Sequence, residues 1–294
     1  MKISVLIAAH ESAAKIETAL ASIRTQTHVD WELLVVEYGA VDQTRALVQA
    51  FALLTGRPAT HLSLGENHGV ASARNRLLEL ATGDWVAFLE PGDAWTPQHL
   101  ANALRLVAAF DVVTSDVHVG RAEGPASSPS PQLASNPVKA LFVMDALPCI
   151  SAVAFRRGLA AKAGFFDVQF RGGEARDFWL RCALVGGRFA ATLRATCQTA
   201  RPADVDLRIR NEQADREVQF YEKHRDVPAV PAALRRRLLA SSLIAKGRCL
   251  RASDPGGAAQ HFLRAWSLQP MHIQTLGQLA LIGTRVNTPP RPPA

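Results

Sequence analysis

The chain has 294 residues, 48% hydrophobic and 20% charged. That composition excludes an extensively disordered chain and leaves room for one large α/β domain with a smaller appendage. No apolar run approaches the roughly 18 residues that a membrane-crossing helix needs. The formal charge of +7 is uneven: residues 1–120 carry 8 basic and 13 acidic side chains, residues 121–228 carry 16 and 12, and residues 229–294 carry 9 and 1. The basicity therefore belongs to the C-terminal stretch, where it suggests an anionic partner such as a membrane surface or nucleic acid.

Residues 3–9 (ISVLIAA) predict a buried strand; the apolar run stops at His10-Glu11 and lacks the basic start of a secretion signal. Ala13, Ile16, Ala19, Leu20 and Ile23 recur at helical spacing within 13–26. A second strand follows at Trp31 to Val36, then Gly39 at a turn, then a helix over 42–55 with Asp42 at its N-cap. A strand near 60–64, a helix over 70–81 and a strand over 85–89 continue the alternation, which implies βαβ units and a mostly parallel sheet. Ligands of such sheets bind beyond the carboxyl ends of the strands, and two segments fall there: Glu37-Tyr38-Gly39 and Glu90-Pro91-Gly92-Asp93.

A helix over 97–110 and a strand over 111–118 follow. Residues 122–137 (AEGPASSPSPQLASNP) read as a mobile surface loop. The pattern resumes with a strand over 151–155, a helix near 156–163 and a helix from Arg176 to Leu184. From about 212 the chain reads as helical, giving a domain over 1–211 and a helical extension over 212–285. Arg235, Arg236, Arg237, Lys246, Arg248 and Arg251 lie among Leu and Ala in 232–251. Residues 256–268 and 271–284 read as a final antiparallel helix pair, faintly like a tetratricopeptide pair, and 286–294, with four prolines, as a disordered tail. Cys149, Cys182, Cys197 and Cys249 form no Cys-x-x-Cys pair, which fits reduced thiols in a cytoplasmic protein.

Three segments in order resemble family 2 glycosyltransferases of the GT-A fold. SVLIAAHESAAKIETALASIRTQTHVDWELLVVEYGAVDQT resembles the opening of the family. NHGVASARNRLLELATGDWVAFLEPGDAWTP resembles its Asn-x-Gly…Ala-Arg-Asn helix, leading to the acidic metal-binding motif. ISAVAFRRGLAAKAGFFDVQFRGGEARDFWLRCALVGGRF resembles the acceptor-side segment, with its acidic pair and Trp-x-x-Arg helix. Together they span roughly residues 3–190.

The resemblance implies an α/β fold with a Rossmann-like sheet and an inverting transfer of sugar from a nucleotide diphosphate, most simply a UDP-sugar, to a glycan or lipid-linked acceptor in surface polysaccharide synthesis. It implies a Mn²⁺ or Mg²⁺ cofactor, which offsets the charge of the diphosphate leaving group, and a carboxylate base for the acceptor hydroxyl. It places Ala9, His10, Glu11, Glu37, Tyr38, Arg74, Glu90, Gly92 and Asp93 about the donor, with Asp93 as metal ligand or, alternatively, as a helix cap.

The chain departs from the pattern at three points. Tyr38 stands for an Asp that reads the base, and either stacks on the base or packs. Gly92 stands for the middle acidic residue, and Ala175 for the base. Glu174 or Asp177 is then the candidate base; the alternative has Glu174 paired with Arg176 or Arg171 and Asp177 capping the helix. These departures keep open a second reading, a non-catalytic glycosyltransferase-like binding or scaffolding protein. The arginines of 232–251 suggest peripheral contact with anionic lipid at the inner face of the membrane, or else a solvated helix face. Nucleic acid is disfavoured, because no aromatic residues are interleaved with them.

Overall fold

A computed structural model describes residues 1–39, 42–120, 126–143, 148–170, 172–199 and 207–270. The chain divides into two compact units, Met1–Arg201 and Pro202–Ala294, so the boundary falls about ten residues before the one expected.

The first unit opens with β1 (Ile3–Ala9), α1 (Ala13–Arg24), β2 (Trp31–Glu37), α2 (Thr44–Thr55), β3 (Ala59–Ser63), α3 (Gly69–Leu80) and β4 (Trp85–Phe88). These pair in parallel, β3-β2-β1-β4. β1 and β2 are buried along almost their whole length, as strands covered on both faces must be, and their near-continuous Val, Leu and Ile content reflects it. α1 closes one face by burying Ile16, Ala19, Leu20 and Ile23, at helical spacing. Ile16, Leu20 and Ile23 each contribute on the order of 1.5–3 kcal/mol when fully buried.

The second half of the sheet is mixed. β5 (Ala94–Trp95), α4 (His99–Leu104), β6 (Val112–Val119), β7 (Ala126–Ser127), α5 (Gln132–Ser135), α6 (Pro137–Val143), β8 (Val153–Arg156), α7 (Arg157–Ala163), α8 (Glu174–Leu184) and β9 (Phe189–Thr199) follow. The sheet order is β3-β2-β1-β4-β8-β6-β9-β5, with β7 on β6; β8 runs antiparallel to β4 and β6, while β9 lies parallel to β6. The parallel sheet expected from the alternation is thus the N-terminal half, joined to an antiparallel extension. The helix expected over 97–110 is only six residues long. Within the stretch expected as a loop, the chain forms β7, α5 and the start of α6; residues 122–125 lie outside the described residues.

An aromatic cluster joins the later helices to the sheet. Phe166 stacks on Phe178 at 4.2 Å, and Trp179 meets Phe155 edge-on at 5.2 Å. Trp179 is fully buried and is a core residue. Asn75 clamps the loop before α8 by donating to the Phe166 carbonyl at 2.9 Å and accepting from its N–H at 2.8 Å.

The second unit contains α9 (Leu207–Lys223), α10 (Ala232–Leu250) and α11 (Pro255–Leu268). α10 packs against both α9 and α11, burying Leu239, Ala240, Leu243 and Ile244. Asp254 caps α11 by accepting from the Gly257 N–H, with Pro255 in the first turn. The expected partner helix 271–284 and tail 286–294 lie outside the described residues. No helix among the described residues is long and apolar enough to cross a membrane. All four cysteines are free thiols.

Candidate active site

A cleft of about 290 Å³ opens beyond the carboxyl ends of β1, β2 and β4, walled by His10, Lys15, Tyr38, Arg74, Glu90 and Pro91 among others. A second hollow of about 640 Å³ shares His10, Tyr38 and Val70 with it and extends to Asn67, His68 and Phe170. This is where a doubly wound sheet presents its strand-end loops.

After β1 the chain turns sharply at Glu11, whose φ is 46°. The Ser12 hydroxyl braces the turn by accepting from the His10 N–H and donating to the His10 carbonyl, both at 3.0 Å. His10 Nδ1 lies 2.7 Å from the Tyr38 carbonyl; a carbonyl only accepts, so Nδ1 carries the proton. The His10 and Tyr38 rings stack at 5.1 Å and 16°. Gly39 makes room for this pair: a Cβ there would come within 2.7 Å of the His10 ring. The two rings form one π surface between the hollows.

Arg74, from the buried face of α3, donates through Nη1 to Glu174 Oε1 at 2.6 Å and through Nη2 to Glu90 Oε1 at 2.8 Å. Its guanidinium lies 5.5 Å from the Phe166 ring and 5.9 Å from Phe88. Burial of a charge this deep requires such pairing. Glu90 keeps half of its side chain exposed. Loss of hydration raises it above the usual carboxylate range, against the pull of Arg74 and with the push of Asp93 and Glu174. Loss of hydration likewise raises the Tyr38 phenol, Arg74 opposing and Glu174 and Glu90 adding. Tyr38 therefore lies within the field of the Arg74 cluster. Glu174 Oε2 is buried and has no hydrogen-bond partner.

The expected site residues separate into two groups. His10, Tyr38, Arg74 and Glu90 are together at the cleft, and Glu174 is tied to it through Arg74. Glu37 is not presented there: it is fully buried, accepting from the Asp42 N–H and lying 3.2 Å from His61 Nε2, so it fastens the end of β2 to its neighbours. Ala9 is buried, with its carbonyl on the Tyr38 N–H at 3.0 Å; Ala8 lines the cleft instead. Glu11 is exposed at the turn.

Asp177 is fully buried, and Arg181 holds its Oδ2 through Nε and Nη2 at 2.8 and 2.7 Å. Of the two candidate bases, Glu174 is the one joined to the cleft. The expected pairing of Glu174 with Arg176 is replaced by Arg74, because Arg176 donates to the Leu141 and Phe142 carbonyls; Arg171 lies outside the described residues.

The loop after β4 is fastened by a residue that the sequence does not single out. The Ser151 hydroxyl donates to Asp93 Oδ2 at 2.6 Å and accepts from the Glu90 N–H at 3.0 Å. Asp93 is 5% exposed. Gly92 has φ 92° and approaches Lys15 of α1. Among the described residues no three His, Cys, Asp or Glu side chains converge as a metal cage. Mg²⁺ and Mn²⁺ commonly take one or two carboxylates and complete their shell with phosphate oxygens and water. Half-exposed Glu90, with Asp93 behind it, fits that limited role.

Residues 4–150 match the family model of glycosyl transferase family 2. TuaG of Bacillus subtilis, named for teichuronic acid biosynthesis, is 33% identical over 105 residues, 36% of this chain and 41% of that protein. A PGL/p-HBAD biosynthesis glycosyltransferase of Mycobacterium bovis is 31% identical over 186 residues, 61% of this chain and 68% of that protein. Among solved structures, S. aureus TarS in complex with UDP-GlcNAc superposes with a TM-score of 0.65 at 17% identity, over 96% of this chain and 79% of that one. The mannosyltransferase PcManGT of Pyrobaculum calidifontis, in complex with GDP-Man and Mn²⁺, gives 0.62 at 21%, over 97% and 84%. At these identities the structures speak to the fold, and the family model together with the mycobacterial relative speaks to descent: the chain belongs to glycosyl transferase family 2.

Proposed function

We propose that the chain transfers a sugar from a nucleotide-diphosphate donor, a UDP-sugar in the first instance, to a glycan or lipid-linked acceptor with inversion, in surface polysaccharide synthesis on the cytoplasmic side. The observation that carries this reading is Arg74 held at the cleft between Glu90 and Glu174. The nucleotide sugars bound by TarS and PcManGT support the donor class.

In this reading the His10–Tyr38 surface stacks on the nucleobase, and Lys15 and Arg74 face the diphosphate. Glu174 Oε2 accepts the acceptor hydroxyl proton. As the acceptor oxygen bonds to the sugar C1, the C1–O bond to the diphosphate breaks and its electron pair leaves with the nucleoside diphosphate. Arg74 fixes Oε1 so that Oε2 is the basic oxygen. A Mn²⁺ or Mg²⁺ ion held by Glu90 and Asp93 would offset the charge of the leaving group. Membrane contact through 232–251 belongs to the same proposal in narrowed form: α10 buries its apolar residues against α9 and α11, so the contact falls to the arginines.

A thermal-shift screen of nucleotide sugars with and without Mn²⁺ tests the reading, followed by a transfer assay on the sugar that binds. Stabilisation by a nucleotide sugar supports it. A second reading, a non-catalytic binding protein, is favoured by one observation, Ala175 at the position where the resemblance puts the base. Donor binding without turnover of donor in the presence of candidate acceptors selects that reading.

A further inference from the structure

We infer that the helical unit carries an anion pocket for a phosphate group, formed where the end of α9, the start of α10 and the end of α11 converge. It sharpens the headgroup contact proposed above and stands without it, because a soluble phosphate satisfies the same chemistry. A hollow of about 520 Å³ opens there, with Arg225, Arg235, Arg236 and Arg264 on its walls beside Glu222 and Asp226. Four guanidiniums against two carboxylates leave an excess of two positive charges. Both carboxylates are already engaged, Glu222 by Arg264 and Asp226 by Arg225.

Arg235 and Arg236 are the cations left over. Arg235 donates through Nη1 to the Arg225 carbonyl at 2.8 Å, while its Nε is buried and has no acceptor. A buried donor left unsatisfied is unfavourable. Arg236 is exposed and has no ion pair among the described residues. Both lie in the first two turns of α10, where the free N–H groups of the helix are themselves positive, and the first turn holds no acidic residue. The hollow therefore presents two guanidiniums that no carboxylate on its walls neutralises. Residues 271–294 contain no Asp or Glu, so no side chain of that stretch supplies the missing carboxylate. Planar guanidiniums favour phosphate oxygens in bidentate geometry, and the volume exceeds one phosphate, so a phosphate carrying an organic group fits.

The full chain is titrated calorimetrically with inorganic pyrophosphate, and in parallel sedimented with phosphatidylcholine vesicles with and without phosphatidic acid. Arg235→Gln/Arg236→Gln is expected to weaken pyrophosphate by at least about tenfold while leaving the circular dichroism spectrum of the unliganded chain unchanged. Arg236→Gln alone, at an exposed position, guards against loss of folding and is expected to show part of the effect. Loss of capture by phosphatidic acid vesicles in the double variant assigns the pocket to a lipid headgroup; pyrophosphate binding without vesicle capture assigns it to a soluble phosphate. Equal binding by wild type and double variant in both arms overturns the inference. So does an Arg235→Lys/Arg236→Lys variant that binds as wild type, since diffuse charge would then suffice.

Discussion

Arg74 and Glu174, one hundred residues apart in the chain, meet at 2.6 Å, and the second arm of the same guanidinium holds Glu90. This pairing leaves one carboxylate oxygen, Glu174 Oε2, without a partner. If that oxygen removes the acceptor proton, Glu174→Gln keeps the shape and the contact with Arg74 but lowers kcat by about 10²–10⁴-fold, with donor affinity unchanged. Steady-state kinetics beside a donor thermal shift measure the two separately. Unaltered turnover removes Glu174 from the role.

The loop after β4 makes a second distinction. Glu90 is half-exposed at the cleft, whereas Asp93 is buried on Ser151. A nucleoside diphosphate should therefore raise the melting temperature more with Mn²⁺ than without it. Glu90→Gln should remove most of the metal-dependent part. Asp93→Ala should lower the melting temperature of the unliganded protein as well, because the Ser151 hydroxyl loses its acceptor, an effect of about 1–3 kcal/mol. A metal increment that survives both substitutions denies the loop any part in holding the cation.

The stacked His10–Tyr38 pair sets a third test. Tyr38→Ala removes half of the π surface and should weaken the nucleotide by about tenfold or more, as loss of one base–aromatic stack does, whereas Tyr38→Phe should bind normally. Calorimetric titration with UDP and GDP checks both. Equal affinities for wild type and Tyr38→Ala, accompanied by a lower melting temperature in the variant, would make the ring a packing element only.

The first half of the sheet is legible in the sequence because its signal is local: ISVLIAA and WELLVV are buried runs, and the Ile16-Ala19-Leu20-Ile23 spacing marks the helix between them. The second half is not. β9 (FAATLRATCQT) has no clean alternation and includes Leu193 at φ 52°, so it becomes a strand by pairing with β6 and β5; β5 and β7 are two residues each. Glu37 has the type and strand-end place of a ligand residue, and only the tertiary approach of His61 and Asp42 shows that it is a structural tie. The partnership of Arg74 with Glu174, the brace from Ser151 and the place of Lys15 on the cleft wall all depend on contacts across many tens of residues, which periodicity does not encode. Asp42 is a partial case. The N-cap of α2 is Gln43 rather than Asp42, and Asp42, one residue earlier, braces two helix starts by accepting from the Thr44 N–H at 2.7 Å and from the Ala13 N–H at 2.8 Å.

Glu32 should contribute to the acid limb of stability, beside Asp42, whose pKa is also lowered to about 2. Glu32 is buried in the sheet, where it accepts from Lys2 Nζ at 2.8 Å, the Ser4 hydroxyl at 2.6 Å and the Thr82 N–H at 2.8 Å. It thereby ties β1 and β2 to the turn before β4. Burial works to raise its pKa, but the hydrogen bonds from Lys2, Ser4 and Thr82 outweigh that effect and bring it from the usual 4.5 to about 2. The folded state thus releases this proton more readily than the unfolded chain. The resulting stabilisation is fully present above the unfolded pKa and is lost as the pH falls from 4.5 to about 2; it is on the order of 3 kcal/mol at neutral pH. Glu32→Gln should lower neutral-pH stability by a similar amount and flatten the acid limb, so that the two proteins converge toward the bottom of that window. Urea unfolding across the window measures both. Curves that stay parallel at every pH would mean that another carboxylate controls acid unfolding.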